Sequence, residues 1–321
     1  MTKNLITWDA SKWTAPRLRL ARAVRDATFR ESPYAPMSRS LGPGNMLLRH
    51  VPRADWNVGV GIAPQIISSD TALTLIKAAA ASKDKDRFTG PMPGAESGRA
   101  DKKQPRGGMY CSADIRASIA EMLHYTDGNL SRQLIGAPER LLPATGRCFI
   151  SLRPTRELNV VNLGSGASGM LEFLARIEQD KQVAEALRAA KHVRGLFAAV
   201  FAVPPPGREY DLGGMDPEVL NDYSAARGLG MGLQDNADID GIEVLSARDF
   251  VARVGGGNEV MRTGDNVVLF GRSDAPAIDA VRIEAIHLVD KVAGSHQLMI
   301  THYASAPGGS FAKTGSDPFT P

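Results

Sequence analysis

The residues best placed to do chemistry lie between Ser97 and Tyr125, in the run SGRADKKQPRGGMYCSADIRASIAEMLHY. Arg99 stands in a polar stretch rich in Gly and Pro, Tyr110 follows in a short apolar run, and Glu121 precedes His124 by one helical turn. The two intervals are equal, since 110−99 and 121−110 both give 11. Downstream, GIEVLSAR places Ser246 at the end of an apolar strand pattern, and a second such pattern, NVVLF, follows. A guanidinium gives planar, bidentate contacts to an anion, which Lys cannot reproduce. A carboxylate stabilises positive charge that develops beside it, a Tyr offers an aromatic face and a hydroxyl, and a Ser hydroxyl fixes the geometry of its neighbours. Taken singly, each has an ordinary reading: solvated loop charge, core tyrosine, exposed helix acid, turn serine. Their joint order and local settings favour a site.

Positioning such a site takes strands and a helix. Gly107–Ser112 reads as a strand and Ala113–Tyr125 as a helix in which Ala117, Glu121 and His124 share one side and Ile115, Ile119, Met122 and Leu123 another. Before them, residues 11–30 form a basic amphipathic helix, 31–45 a loop, 46–51 a short strand carrying Arg49 and His50, and 71–81 a helix. Residues 83–108 are polar and form a loop. After them, 157–163 is a strand, 170–190 one long amphipathic helix, and 195–203 a buried strand or short helix ended by Pro204. Residues 217–227 are helical, 241–245 and 266–270 are strands, and one or two strands follow before a Gly-, Ser- and Pro-containing tail expected to be disordered.

The features of the two motif blocks resemble the RES family, named for its Arg, Glu and Ser, which occurs as toxins of bacterial toxin–antitoxin systems and as secreted effectors. The resemblance spans about residues 46–271. It matches the family's loop Arg, strand Tyr, helix Glu and late Ser to Arg99, Tyr110, Glu121 and Ser246, with Arg106 a rival for Arg99 because the usual Gly-Gly-Arg-Trp-Asn loop is reduced to Ser97-Gly98-Arg99. Arg49 matches a further Arg near the start of the family's domain. The implied fold is α+β, ADP-ribosyltransferase-like, with central mixed or antiparallel sheets flanked by helices. Three parts follow: an N-terminal helical extension (1–45), the RES-like domain with insertions (46–271), and C-terminal strands with the tail (272–321).

The resemblance also implies NAD⁺ as a substrate, with no resident cofactor and no metal. Arg99 and Arg49 would hold the pyrophosphate, Glu121 would stabilise the ribosyl cation, Tyr110 would contact nicotinamide or ribose, Ser246 would fix the geometry and His124 would support the site. The expected activity is NAD⁺ glycohydrolase or phosphorylase, with ADP-ribosyl transfer to a macromolecule as the alternative. A cognate antitoxin or immunity protein is the expected partner, and an oligomer is possible.

A second reading competes from the residues alone. Gly164, Gly166 and Gly169 form G-x-G-x-x-G between a strand and a helix, the setting of a dinucleotide-binding oxidoreductase. That fold needs an acid about 20 residues on, at the end of the next strand. The candidate strand ends instead in Val203 and prolines. The later Gly-rich GLGMG, Gly228–Gly232, reads as a flexible turn. No G-x-S-x-G elbow marks a serine hydrolase, and the scattered histidines, with His296 and His302 nearest in sequence, read as structural rather than as metal ligands.

Composition sets outer bounds. The 321 residues are 43% hydrophobic and 23% charged, an ordinary globular make-up. With 38 basic against 35 acidic residues the net charge is +3, too balanced for an unselective nucleic-acid binder. The two cysteines, Cys111 and Cys148, are too few for a disulfide framework and read as buried thiols. No signal-peptide pattern opens the chain and no transmembrane run appears. These features lead to the expectation of a cytoplasmic protein, or one delivered to another cell's cytoplasm by a secretion system that needs no cleaved signal.

Overall fold

The computed structural model describes residues 14–38, 40–53, 70–74, 88–89, 108–113, 118, 146–164, 168–192, 195–201, 223–245, 265–271, 276–294 and 297–319. The described elements are helices α1 (Ala15–Glu31), α2 (Met170–Gln179), α3 (Lys181–Ala189), α4 (Gly195–Phe201) and α5 (Ser224–Gln234), with strands β1 (Leu47–Pro52), β2 (Gly108–Ser112), β3 (Arg147–Pro154), β4 (Val160–Leu163), β5 (Gly241–Leu245), β6 (Asp265–Phe270), β7 (Val281–Lys291), β8 (Leu298–Ser305) and β9 (Phe311–Phe319). The strands make one mixed sheet of nine, in the order β4-β5-β6-β2-β1-β3-β7-β8-β9. Only β4 and β5 run parallel; the other neighbours are antiparallel. The fold is α+β, as expected from sequence.

Strand alternation sends successive side chains to opposite faces, and each face has its own core. On one, Val161, Leu163, Ile242, Val244, Val268 and Phe270 pack with Leu20 and Val24 of α1, Phe173 and Ile177 of α2, Leu196 of α4 and Leu229 and Leu233 of α5. On the other, Leu47, Val51, Met109, Cys111, Cys148, Ile150, Val267, Leu269, Ile286 and Leu288 form a second cluster. No described helix is long and apolar enough to cross a membrane.

Four sequence expectations are corrected. The long helix over 170–190 breaks at Asp180, whose extended backbone and carboxylate cap α3 by accepting from the amides of Gln182 (2.8 Å) and Val183 (3.2 Å). Of the helix expected at 217–227, residues 217–222 lie outside the described residues, and 224–227 open α5, which runs past the expected end to Gln234. It therefore contains GLGMG, which is no flexible turn. Its glycines are where neighbouring backbone comes closest: a Cβ at Gly228 would strike the Ala21 carbonyl, one at Gly230 the Phe88 carbonyl, and one at Gly232 the Arg25 carbonyl. Helical periodicity is hard to see when the packing residues have no side chain. Finally, much of the tail expected to be disordered is β9, paired along its length with β8. Its ladder is supplied by backbone, which the polar composition of FAKTGSDPF does not advertise.

Candidate active site

Tyr110 sits mid-strand in β2, between Met109 and Cys111, which are buried in the second core. Tyr110 itself, half-buried, packs against the helix-side core. Leu48 of β1 pairs with Ser112 of β2, and by alternation along the two strands His50 and Tyr110 fall on the same face of the sheet as this pair. That face continues through direct partners: Val268 opposite Tyr110, Phe149 opposite His50, His287 opposite Phe149, and His302 opposite His287. The adjoining row holds Asn266, Ser112, Leu48 and Ser151. The sheet face bearing Tyr110 thus carries a polar band across its central strands.

The band is internally hydrogen-bonded. Ser112 Oγ donates to Asn266 Oδ1 at 3.0 Å, with both residues buried. His50 Nδ1 lies 3.3 Å from Ser118 Oγ, and its ring is 6.4 Å from that of Phe149. Ser118 is a fully buried helical residue, three positions before Glu121 in the sequence. Ser151 Oγ is 2.6 Å from His287 Nε2, His287 Nδ1 is 2.7 Å from His302 Nδ1, and His302 Nε2 is 3.0 Å from Asp317 Oδ2. Sequence reasoning missed His50, Ser112, Ser118, Ser151, Asn266 and His287. The signal was there in part, as polar residues at alternate positions of otherwise apolar strands, but a pair such as Ser151 and His287 is joined only by register.

Arg49 occupies the other face. Its neighbours at alternate positions, Leu47 and Val51, belong to the second core with Cys111. The side chain is buried, at 7% exposure, and one terminal guanidinium nitrogen donates to the Tyr110 carbonyl at 2.9 Å. Its Nε has no hydrogen-bond partner among the described residues. Burial pushes the Cys111 thiol up to about 12, with the Arg49 charge opposing the shift. Arg49 and Tyr110 are therefore joined through β2 backbone while their side chains leave the sheet on opposite sides. Arg99, Arg106, Glu121, His124 and Ser246 lie outside the described residues. The strand before Ser246 is β5, separated from β2 by β6 alone.

The dinucleotide-binding alternative fails on topology. Gly164 and Gly169 do lie between β4 and α2, and Gly169 has φ +87°, which glycine tolerates best; Gly166 is outside the described residues. But residues 195–201 are helix α4, and the parallel neighbour of β4 is β5, which follows all the described α-helices. Among the described residues, no second strand next in sequence presents an acid to a ribose. The space at Gly164 is instead filled by the Asp265 carboxylate, which would repel a pyrophosphate.

A model of the RES domain matches residues 74–204. That match supports assigning this span to the RES family. Such domains are associated with NAD⁺-utilising activity. The matched span of the RES domain encloses Arg99, Tyr110, Glu121 and His124, and leaves Arg49 and Ser246 on either side. No curated protein and no solved structure matches the chain.

Proposed function

We propose that this RES-domain protein cleaves the bond between nicotinamide and ribose of NAD⁺ and so depletes the dinucleotide. The observation that carries the reading is the enclosure of Arg99, Tyr110 and Glu121 within the matched RES span. Leaving of nicotinamide develops an oxocarbenium ion on the ribose, and the Glu121 carboxylate stabilises that charge and holds a ribose hydroxyl. Arg99 clamps the pyrophosphate in a bidentate contact. Tyr110 gives its ring to the nicotinamide or ribose, Ser246 orients Arg99, Glu121 or the substrate, and His124 supports Glu121 from the next helical turn. Arg49 acts through β2: by holding the Tyr110 carbonyl it fixes the strand on which the aromatic ring is mounted. NAD⁺ is the substrate in this scheme, and no resident cofactor takes part.

Product analysis distinguishes the fates of the ribosyl cation. Incubation of the purified protein with NAD⁺, followed by chromatography, is expected to give nicotinamide and ADP-ribose. A phosphorylated ADP-ribose that appears only with inorganic phosphate would mark phosphorolysis. Label retained on macromolecules of a cell lysate would mark ADP-ribosyl transfer. A cell that makes such an enzyme needs restraint, and the proposed partner is an antitoxin or immunity protein that occludes the pocket; Glu121→Ala is expected to relieve growth inhibition on expression without it.

A further inference from the structure

Four side chains link the outer half of the sheet: Ser151 of β3, His287 of β7, His302 of β8 and Asp317 of β9, at 2.6, 2.7 and 3.0 Å in turn. They stand on the edge-most strands, where β9 ends the sheet. Ser151 is fully buried, which rules out a nucleophile acting on external substrate, whereas the Asp317 side chain is 75% exposed. The chain runs from interior to solvent.

Its hydrogen bonds can be satisfied in two protonation states. With both rings neutral, the Ser151 hydroxyl donates to His287 Nε2, His287 Nδ1–H donates to His302 Nδ1, and His302 Nε2–H donates to Asp317. One added proton reverses the first two bonds: His302 Nδ1–H donates to His287 Nδ1, His287 Nε2–H donates to Ser151 Oγ, and the positive ring faces the Asp317 carboxylate. A second proton has no such arrangement. Both Nδ1 atoms would then carry hydrogens and confront one another across 2.7 Å.

We infer that His287 and His302 form an acid-sensitive clasp that holds the β8–β9 hairpin on β7 at neutral pH and releases it when both rings are protonated. Burial, reinforced by the neighbouring His302, lowers His287 from 6.5 to about 4. The sign follows from that direction: the released hairpin binds the proton more readily than the closed one, so closure is favoured above pH 6.5 and is progressively lost as pH falls towards 4. The described groups facing the pair are Ser151 and Phe149 on β3, Asp317 on β9 and, beyond Phe149, His50 on β1; Lys291 lies further along β7 on the same alternation. Asp317 is the one carboxylate among them, and it contacts His302 rather than His287. Release would bare the outer edge of β7 and uncover Leu298, Ile300 and Tyr303, which the closed sheet buries.

Amide hydrogen exchange on the full chain from pH 7.5 to 4, expressed as protection factors, tests this. Protection in β8 and β9 is expected to fall by roughly 80-fold between pH 6.5 and 4, the factor that one site lowered from 6.5 to about 4 gives over that interval, while β2 and β6 keep theirs. His302→Gln retains hydrogen-bonding capacity but takes no proton; it is expected to make the profile shallower and to leave only the part that burial of His287 imposes. A wild-type hairpin indifferent to pH, or an unchanged profile in His302→Gln, overturns the clasp. Should that variant fail to fold, Asp317→Asn withdraws the carboxylate facing the positive ring and is expected to move release to higher pH; an unmoved profile overturns the proposal equally.

Discussion

Arg49 keeps a buried cation whose guanidinium donates to one carbonyl, with Nε left without a partner among the described residues. Such a group costs stability unless function retains it, since a desolvated charge with few hydrogen bonds is worth little to the fold. Arg49→Met is therefore expected to leave stability within about 1 kcal/mol of wild type in chemical denaturation, while slowing nicotinamide release by more than about tenfold through the loosened Tyr110 carbonyl. Unaltered release in a folded Arg49→Met protein would remove Arg49 from the site. The two thiols make a contrasting case. Burial pushes both Cys111 and Cys148 up to about 12, so neither is a thiolate near neutrality and neither is a nucleophile. A disulfide-exchange reagent at pH 8 is expected to label neither in the native protein and both after denaturation; rapid native labelling would contradict the burial.

At the scale of elements, α5 packs against α1 more extensively than any other two described helices pack together. Gly230→Ala would gain about 1 kcal/mol of helix propensity, but its Cβ would enter the Phe88 carbonyl, a backbone atom that cannot swing aside. Overpacking of this kind costs about 1–3 kcal/mol, so the clash wins. Net destabilisation is expected in a denaturant melt, and a stabilised variant would show that α5 does not approach Phe88 as closely. The same helix explains why sequence reading succeeded unevenly. Strands β1, β2, β5 and β6 were legible because their apolar residues alternate or run together between turn signals, and α1 because its apolar positions recur with helical spacing. α5 was not, because three glycines erase the periodicity that packing would otherwise print. β9 was not, because an edge strand held by backbone hydrogen bonds needs no apolar code. Around the candidate site, Tyr110 was read from a strand-to-helix motif and Arg49 from the family resemblance, whereas the polar band of His50, Ser112, Ser151, Asn266 and His287 exists only through register between strands distant in sequence.

For the whole molecule, one mixed sheet separates two cores, and the two ends of the sheet differ in kind. At one end helices α1, α2, α4 and α5 cover β4, β5 and β6; the Ser38 amide donates to the Val160 carbonyl of β4, the Asn162 amide of β4 donates to the Pro36 carbonyl, and Leu41 pairs with Leu158 just before the strand. At the other, β9 lies at the edge and the histidine pair ties its hairpin inward. Between them lies the strand that mounts Tyr110, with β1 on one side and β6 on the other. The central proposal is that this protein breaks the nicotinamide–ribose bond of NAD⁺. Free nicotinamide released by the purified wild-type protein, beside Glu121→Ala, tests it most directly. The account predicts steady release by wild type and a loss of at least about 100-fold in the variant, the scale of removing one charge-stabilising group from a transition state. No release by wild type, with or without phosphate and cell lysate, would contradict the activity, and equal release by both proteins would contradict the site.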